Sequence, residues 1–300
     1  MRVFLTGATG FIGSQIVPEL IEAGHSVLGL TRSDAGAAAL IAAGAEPHRG
    51  DIEDLDSLRA GAEGADAVIH TAFDHDFSNF VANCEKDRRV IETLGDVLKG
   101  SDRPLLITSG VGMGAGEHGQ PATEDRFDRS HPNPRIASEE AGEVLKAAGV
   151  DVRVIRLPQV HDTVKQGLIT PLVEITRQKG VSAYVGDGAN RWSAAHVSDV
   201  AELYRLALDK GAKNARYNAV AEEGVTARAI AEALGAGLNL PVVSLTPEEA
   251  PAHFGWMAIF AGVDMSASSA LTREALDWNP TGPGLITDLT AMDYSVVSRL

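Results

Sequence analysis

Eight residues near the start of the chain, Thr6-Gly7-Ala8-Thr9-Gly10-Phe11-Ile12-Gly13, constrain its fold more than any other segment. They directly follow the apolar run Met1 to Leu5 and directly precede a helix-like segment, so strand, glycine turn and helix are consecutive. In that setting the three glycines have separate tasks. Gly7 lets the chain turn tightly, Gly10 lets the backbone approach a diphosphate, and Gly13 lets the first helix pack closely on the first strand. The N-terminus of that helix then offers unpaired N–H groups and the positive end of its dipole to an anion.

Short apolar runs alternate with helical patterns through the first half. A strand at Ser26 to Leu30 precedes the alanine-rich helix near Ala35 to Ala43 and a strand near Ala45 to His48. Asp54 to Gly61, behind an acidic cap, reads as a short helix, Ala67 to His70 as a strand, and Phe77 to Leu98 as a long helix stopped by Gly100. Leu105 to Thr108, Ser138 to Ala148 and Val152 to Arg156 complete a strand-helix-strand series. This rhythm predicts an α/β fold: a doubly wound parallel sheet of the Rossmann type. Pro18, inside the first helix, is expected to kink it or to cost a hydrogen bond. Beyond Pro158 the rhythm turns to mixed helices and loops. The expected organisation is a dinucleotide-binding domain over 1–157, to which 195–220 returns, and a smaller substrate-binding region over 158–300.

The spacing T-G-x-x-G-x-x-G resembles the extended short-chain dehydrogenase/reductase family, also described as the NAD-dependent epimerase/dehydratase family. Further segments carry the same resemblance in the same order. Gly50 to Asp54 is similar to the family's adenine-contacting turn, Val68 to Ala72 to its fourth strand, Leu105 to Gly110 to its fifth, Val154 to Val160 to its sixth, and His196-Val197-Ser198-Asp199-Val200 to its His-Val-x-Asp-Val signature. The resemblance implies a nicotinamide dinucleotide held by Gly7, Thr9, Gly10, Phe11, Ile12 and Gly13, by Asp51 and Ile52, by Thr71, Ala72 and Phe73, and by Thr108, Pro158 and Val160. At the end of the second strand, Leu30-Thr31-Arg32-Ser33 places no carboxylate at the tip. Arg32 has fork-like donors for a 2′-phosphate, and the hydroxyls of Thr31 and Ser33 can add to them, so NADP is expected in preference to NAD.

The same family uses a tyrosine four residues before a lysine as its proton donor, and this chain has no such pair. Tyr184, Tyr204, Tyr217 and Tyr294 are followed at the fourth position by Gly188, Leu208, Ala221 and Ser298. In the corresponding stretch Arg135 falls on the tyrosine position and Glu139 on the lysine position. Arginine stays charged far above neutral pH and cannot act as a general acid. It can stabilise an oxyanion or bind a substrate carboxylate or phosphate, and Glu139 can accept from ribose hydroxyls. The other reading is an i,i+4 ion pair on a helix surface. The proton then has to come from elsewhere, and histidine titrates in the right range. His161 follows the sixth strand, and His75 sits between Asp74 and Asp76, whose charges are expected to raise its pKa. Ser109 resembles the family's substrate-binding hydroxyl, although Thr108 or Gly110 can also occupy that slot. His196 is expected to be structural, acting with Asp199. The glycine-rich loop Gly110 to Gly119 is expected to wall the substrate site, and Phe73, Met113, Trp192, Trp256 and Phe260 to give it an apolar lining.

Composition narrows the remaining choices. With 41 acidic and 26 basic residues the net charge is −15, which repels nucleic acid and anionic membranes. No apolar stretch approaches the ~20 residues of a membrane span, and no basic leader precedes an apolar run. One cysteine, Cys84, excludes an internal disulfide and fits a reducing, cytoplasmic location. The nine histidines show no metal-ligand spacing with one another or with Cys84. The leading expectation is an NADPH-dependent oxidoreductase that reduces a carbonyl or imine of a hydrophobic small molecule, with a homodimer implied by the resemblance. The alternatives are a nucleotide-binding sensor or scaffold that has lost the chemistry, and a sugar-nucleotide epimerase or dehydratase.

Overall fold

A computed structural model describes residues 1–116 and 119–295. Glu117 and His118, within the loop expected to wall the substrate site, lie outside the described residues. The first half alternates β1 (Arg2–Thr6), α1 (Gly13–Glu22), β2 (Ser26–Thr31), α2 (Asp34–Ala42), β3 (Glu46–Arg49), α3 (Leu55–Glu63), β4 (Ala67–His70), α4 (Phe80–Leu98), β5 (Pro104–Gly110), α5 (Ile136–Ala147) and β6 (Asp151–Leu157). The second half adds β7 (Gln159–His161), α6 (Ile169–Lys179), β8 (Ser182–Val185), β9 (Arg191–His196), α7 (Val197–Asp209), β10 (Arg216–Asn218), β11 (Glu222–Thr226), α8 (Ala227–Leu238), β12 (Val242–Leu245), α9 (Ala250–Phe254), α10 (Ala258–Ala261), α11 (Ala270–Leu276) and α12 (Leu285–Ala291).

Seven parallel strands form the central sheet in the order β3-β2-β1-β4-β5-β6-β10. Its two faces are written in the period-2 pattern of β1. Val3 and Leu5 pack with Ile16 and Leu20 of α1 and Leu203 of α7, while Phe4 packs with Leu58, Ile91, Leu94 and Leu145 from α3, α4 and α5. Each of these side chains is fully buried and stabilises the fold by about 1.5–3 kcal/mol. Side-chain caps set several helix starts. Ser33 accepts from the Gly36 amide, and Asp54 accepts from the amides of Asp56 and Ser57. Helix α1 runs through Pro18 as a single element.

The sixth strand departs from the expected continuous run to Val160. It leaves the central sheet at Leu157, because Pro158 has no N–H to donate to a ladder. Gln159–His161 then joins β9 and β11 in a separate three-stranded sheet, and β8 pairs with β12 in a third. Behind these small sheets Val173, Trp192, Ile230, Leu234, Phe254, Met257 and Leu289 make a second core. The segments after β1 and β4 meet where Gly7 approaches Thr71 and Ala72, and Phe77, beyond β4, stacks on Trp256 from the second half.

Candidate active site

The glycine turn is built around missing side chains. Gly7 has φ +71°, and a Cβ there would lie 2.7 Å from Thr71 Oγ1 and 2.8 Å from the Ala72 amide nitrogen. At Gly13 a Cβ would lie 2.0 Å from the Gly7 carbonyl oxygen, so helix α1 sits directly against the turn. The Gly10 amide donates to the Gly7 carbonyl at 2.8 Å, whereas the amides of Phe11 and Ile12 find no acceptor among the described residues. No acidic residue occupies the first turn of α1. Two open amides at a helix start, beside a turn that excludes side chains, fit the diphosphate of a dinucleotide.

At the tip of β2 the expected donors separate. The Arg32 side chain is 79% exposed, with Nη1 3.7 Å from Asp51 Oδ2. Ser33 is exposed and its Oγ caps α2, leaving the hydroxyl proton free. Thr31 is buried, and its Oγ1 donates inward to the Ser33 carbonyl at 3.5 Å, so it is not presented outward as expected. Asp51 Oδ1 accepts from the Glu53 amide at 2.9 Å, which holds the turn before α3. Ile52, Ala72 and Phe73 line the adjoining groove, together with His70, Asp74 and Lys86.

The residue on the tyrosine position is spent inside the protein. Arg135 Nη1 donates to Asp87 Oδ2 and to Ser138 Oγ, each at 2.5 Å, and Nη2 donates to the Thr108 carbonyl at 3.1 Å. The guanidinium lies 4.0 Å from the centre of the Phe73 ring. Asp87 is buried on α4, and its other oxygen meets His70 Nε2 at 3.0 Å. His70 Nδ1 in turn meets Thr6 Oγ1 at 2.7 Å, just before the glycine turn. Burial alone would raise the Asp87 pKa, but Arg135, His70 and Ser138 outweigh it and hold the carboxyl at about 2. Asp87 was not anticipated from the sequence. Thr108 is also buried, with Oγ1 donating to the His70 carbonyl and 2.6 Å from the Tyr204 hydroxyl.

Three expected catalytic residues lie elsewhere than their roles require. Glu139 is 1% exposed and both its oxygens are taken: Arg156 grips it bidentately at 2.8 and 2.9 Å, and Arg216 Nε adds a bond at 3.0 Å. Neither a ribose hydroxyl nor Arg135 reaches it. Ser109 is paired with Arg156 across the sheet and buried, its hydroxyl without a hydrogen-bond partner among the described residues, while a Cβ on Gly110 would meet open space. The position at the end of β5 with open space beside it is Gly110, which carries no hydroxyl. His161 is fully buried, its Nδ1 2.7 Å from Asp288 Oδ2, and desolvation lowers its pKa against the pull of that carboxylate. It has no path to a substrate in the cleft. His196 caps α7 through the Ser198 amide, and Asp199 accepts from the amides of Thr281 and Gly282.

His75 stands exposed beside Phe73, and its pKa moves opposite to the expected direction. Desolvation, then the charges of Arg135 and Lys165, lower its pKa, and the nearby Asp74 only partly opposes them. Asp74 is engaged instead with Lys86 Nζ at 3.0 Å, and Asp76 with Ser78 and Asn79. Rings run on from His75: Phe73 at 5.2 Å and Phe77 at 6.3 Å. Phe77 stacks on Trp256 with centroids 4.7 Å apart and an interplanar angle of 17°, and Phe260 meets Trp256 edge-on. Trp256 is 44% exposed. Met113 and Trp192, expected in this wall, are buried, Trp192 in the second core. Phe77 and Phe80 take their place; the sequence had shown them only as the beginning of a helix. Val160 is core, Pro158 is partly buried at the end of β6, and among the described residues no cluster of His, Cys, Asp and Glu is arranged to hold a metal.

A parallel sheet whose first turn excludes side chains and opens two amides defines a dinucleotide-binding protein of the Rossmann class. The chain belongs to the NAD dependent epimerase/dehydratase family, whose model matches residues 3–219. It is 45% identical over 295 residues to an uncharacterized protein of Schizosaccharomyces pombe, covering 98% of this chain and 100% of that one. To the sterol-4-alpha-carboxylate 3-dehydrogenase (decarboxylating) of Dictyostelium discoideum it is 30% identical, over 70% of this chain and 68% of the relative. Its fold superposes on the Thermus thermophilus UDP-glucose 4-epimerase in complex with NAD with a TM-score of 0.74, 22% identity and 99% of each chain covered. Among the described residues no helix is long and apolar enough to cross a membrane.

Proposed function

We propose that the protein is an NADPH-dependent reductase of a carbonyl or imine in a hydrophobic small molecule. The observation that carries this reading is that the nucleotide turn lies against Thr71 and Ala72, from which a run of rings, Phe73, His75, Phe77 and Trp256, continues. The Dictyostelium relative, named for dehydrogenation of a sterol carboxylate, supports a hydrophobic substrate. When bound, the dihydronicotinamide supplies a hydride to the acceptor carbon and is oxidised, while a proton goes to the acceptor oxygen or nitrogen.

The protein's own residues then divide the work. The Phe11 and Ile12 amides hold the diphosphate, and Arg32 with Ser33 meets the 2′-phosphate. Phe73, Phe77 and Trp256 exclude water and hold the apolar body. Arg135, neutralised by Asp87, closes the floor and positions Phe73 rather than binding a substrate anion. The imidazolium of His75, or water held against it, delivers the proton. Acceptor-dependent oxidation of NADPH, measured against a panel of aryl ketones, aldehydes and cyclic imines, tests the reading. Turnover with apolar acceptors and none with UDP-glucose is expected; turnover of UDP-glucose alone would overturn it.

A second reading is supported by one observation: Arg135, Glu139 and Gly110 occupy all three positions where the family resemblance places its catalytic groups. On that reading the protein binds NADPH and reports its level without chemistry. NADPH binding with no turnover of any acceptor would favour it.

A further inference from the structure

Among the described residues, the cations near these rings differ in whether a carboxylate pairs with them. Arg135 is neutralised by Asp87, and Lys86 by Glu53 and Asp74. Lys165 Nζ lies 5.8 Å from the centre of the Phe11 ring, at the start of α1, and makes no ion pair among the described residues. The neighbouring carboxylate is otherwise engaged: Asp162 Oδ1 accepts from the amides of Val164 and Lys165, each at 2.6 Å. The segment is a built turn. The Asp162 amide donates to the Lys165 carbonyl at 3.0 Å, and buried Gln166 is bound by Gln159, whose side chain also accepts from the Leu168 amide. The backbone of Lys165 is thus fixed in a turn, its ammonium lies near the Phe11 ring, and its charge is felt at His75 in the run of rings, in a chain of net charge −15.

We propose that Lys165 is a specificity-determining residue: it binds the carboxylate of a planar aromatic substrate whose ring body lies along Phe73, His75, Phe77 and Trp256. This deepens the reductase reading and rests on it for the word substrate, but the recognition itself is a binding event. An ammonium facing a carboxylate is a charge-assisted contact, and neutral ligands of the same shape forgo it. The stacked pair Phe77 and Trp256 gives the arene a face of matching geometry. The dinucleotide's diphosphate is a less suitable anion for Lys165, because the Phe11 and Ile12 amides and the α1 terminus already supply its donors.

Calorimetric titration of 2-naphthoate and of its neutral counterpart 2-naphthamide, into the protein with and without saturating NADP+, tests the assignment. The wild type is expected to bind naphthoate about tenfold more tightly than naphthamide, Lys165→Met to erase that difference while keeping naphthamide affinity, and Lys165→Arg to retain it. Trp256→Ala should weaken both ligands alike. Equal affinities in the wild type, a preference that survives in Lys165→Met, or no binding of either arene would overturn the proposal. Loss of NADP+ affinity in Lys165→Met with the naphthoate preference intact would also overturn it, by assigning the lysine to the diphosphate. Failure of NADP+ to bind the wild type would instead contradict the reductase reading, leaving the naphthoate comparison without nucleotide to report on Lys165 alone.

Discussion

The two ends of the strand edge that faces the cleft were written under different rules. At the end of β1 the backbone does the binding: three glycines clear space, two amides stay open, and the requirements are visible as residue identities. At the end of β5 and the start of α5 side chains do the work, and here the polar groups have turned inward. Arg135 is held by Asp87, Glu139 by Arg156 and Arg216, and Ser109 is sealed beside Arg156. A site made of backbone survives as long as its glycines do, whereas a site made of side chains can be converted into buried ion pairs by a few substitutions.

The largest effect should come from breaking the converted half. Glu139→Ala leaves Arg156, itself fully buried, without its carboxylate, and removing one partner of a buried pair costs about 3–5 kcal/mol. Chemical denaturation should show that loss; a change within about 0.5 kcal/mol, the range of an ordinary surface substitution, would mean that the pair is not structural. In the nucleotide half, Gly13→Ala forces a methyl group against the Gly7 carbonyl. It should cost about 1–3 kcal/mol, as overpacking does, and abolish NADPH binding measured by fluorescence titration. Retained binding would show that the turn is softer than its geometry suggests.

Smaller effects sharpen the same contrast. Arg32→Ala should weaken NADPH by about tenfold, or 1.4 kcal/mol, while leaving NADH nearly unchanged; equal losses for the two cofactors would remove the 2′-phosphate role. His75→Gln should change the pH profile more than the maximal rate. Because desolvation and two cations hold the His75 pKa below 6.5, a proton donated from it makes kcat/KM for reduction rise as pH falls through a value under 6.5, and the variant should lose that limb. A limb of the same shape in His75→Gln would assign the proton to another group.

Much of the fold was legible because it rests on local rules. The glycine spacing, the alternating apolar strands and the Asp54 cap each act within a few residues. The family's tyrosine and lysine were also visibly missing. What replaced them was not legible. Asp87 sits in the middle of a helix, 48 residues before Arg135, and nothing in its neighbourhood marks it as the partner of that cation. The same holds for Glu139 and Arg156, joined only when α5 packs on β6. His75 misled because its sequence neighbours are acidic, yet Asp74 and Asp76 turn to Lys86 and to Ser78 while two cations approach from distant segments. Among the aromatics, Trp192 alternates into the core, as its strand requires, and Phe77 and Trp256 meet only through tertiary packing.

The central claim, that an intact nucleotide half serves a reducing cleft without the tyrosine and lysine, is tested most directly by isotope transfer. The purified protein would be incubated with NADPH deuterated at nicotinamide C4 and with aryl ketones, aldehydes and cyclic imines, and the products analysed by mass spectrometry. Deuterium on the former carbonyl or imine carbon is predicted, in wild type and, at reduced yield, in His75→Gln. Absence of deuterium from every product, with NADPH shown to be bound, would contradict the claim and leave a nucleotide-binding protein whose catalytic edge has become part of its core.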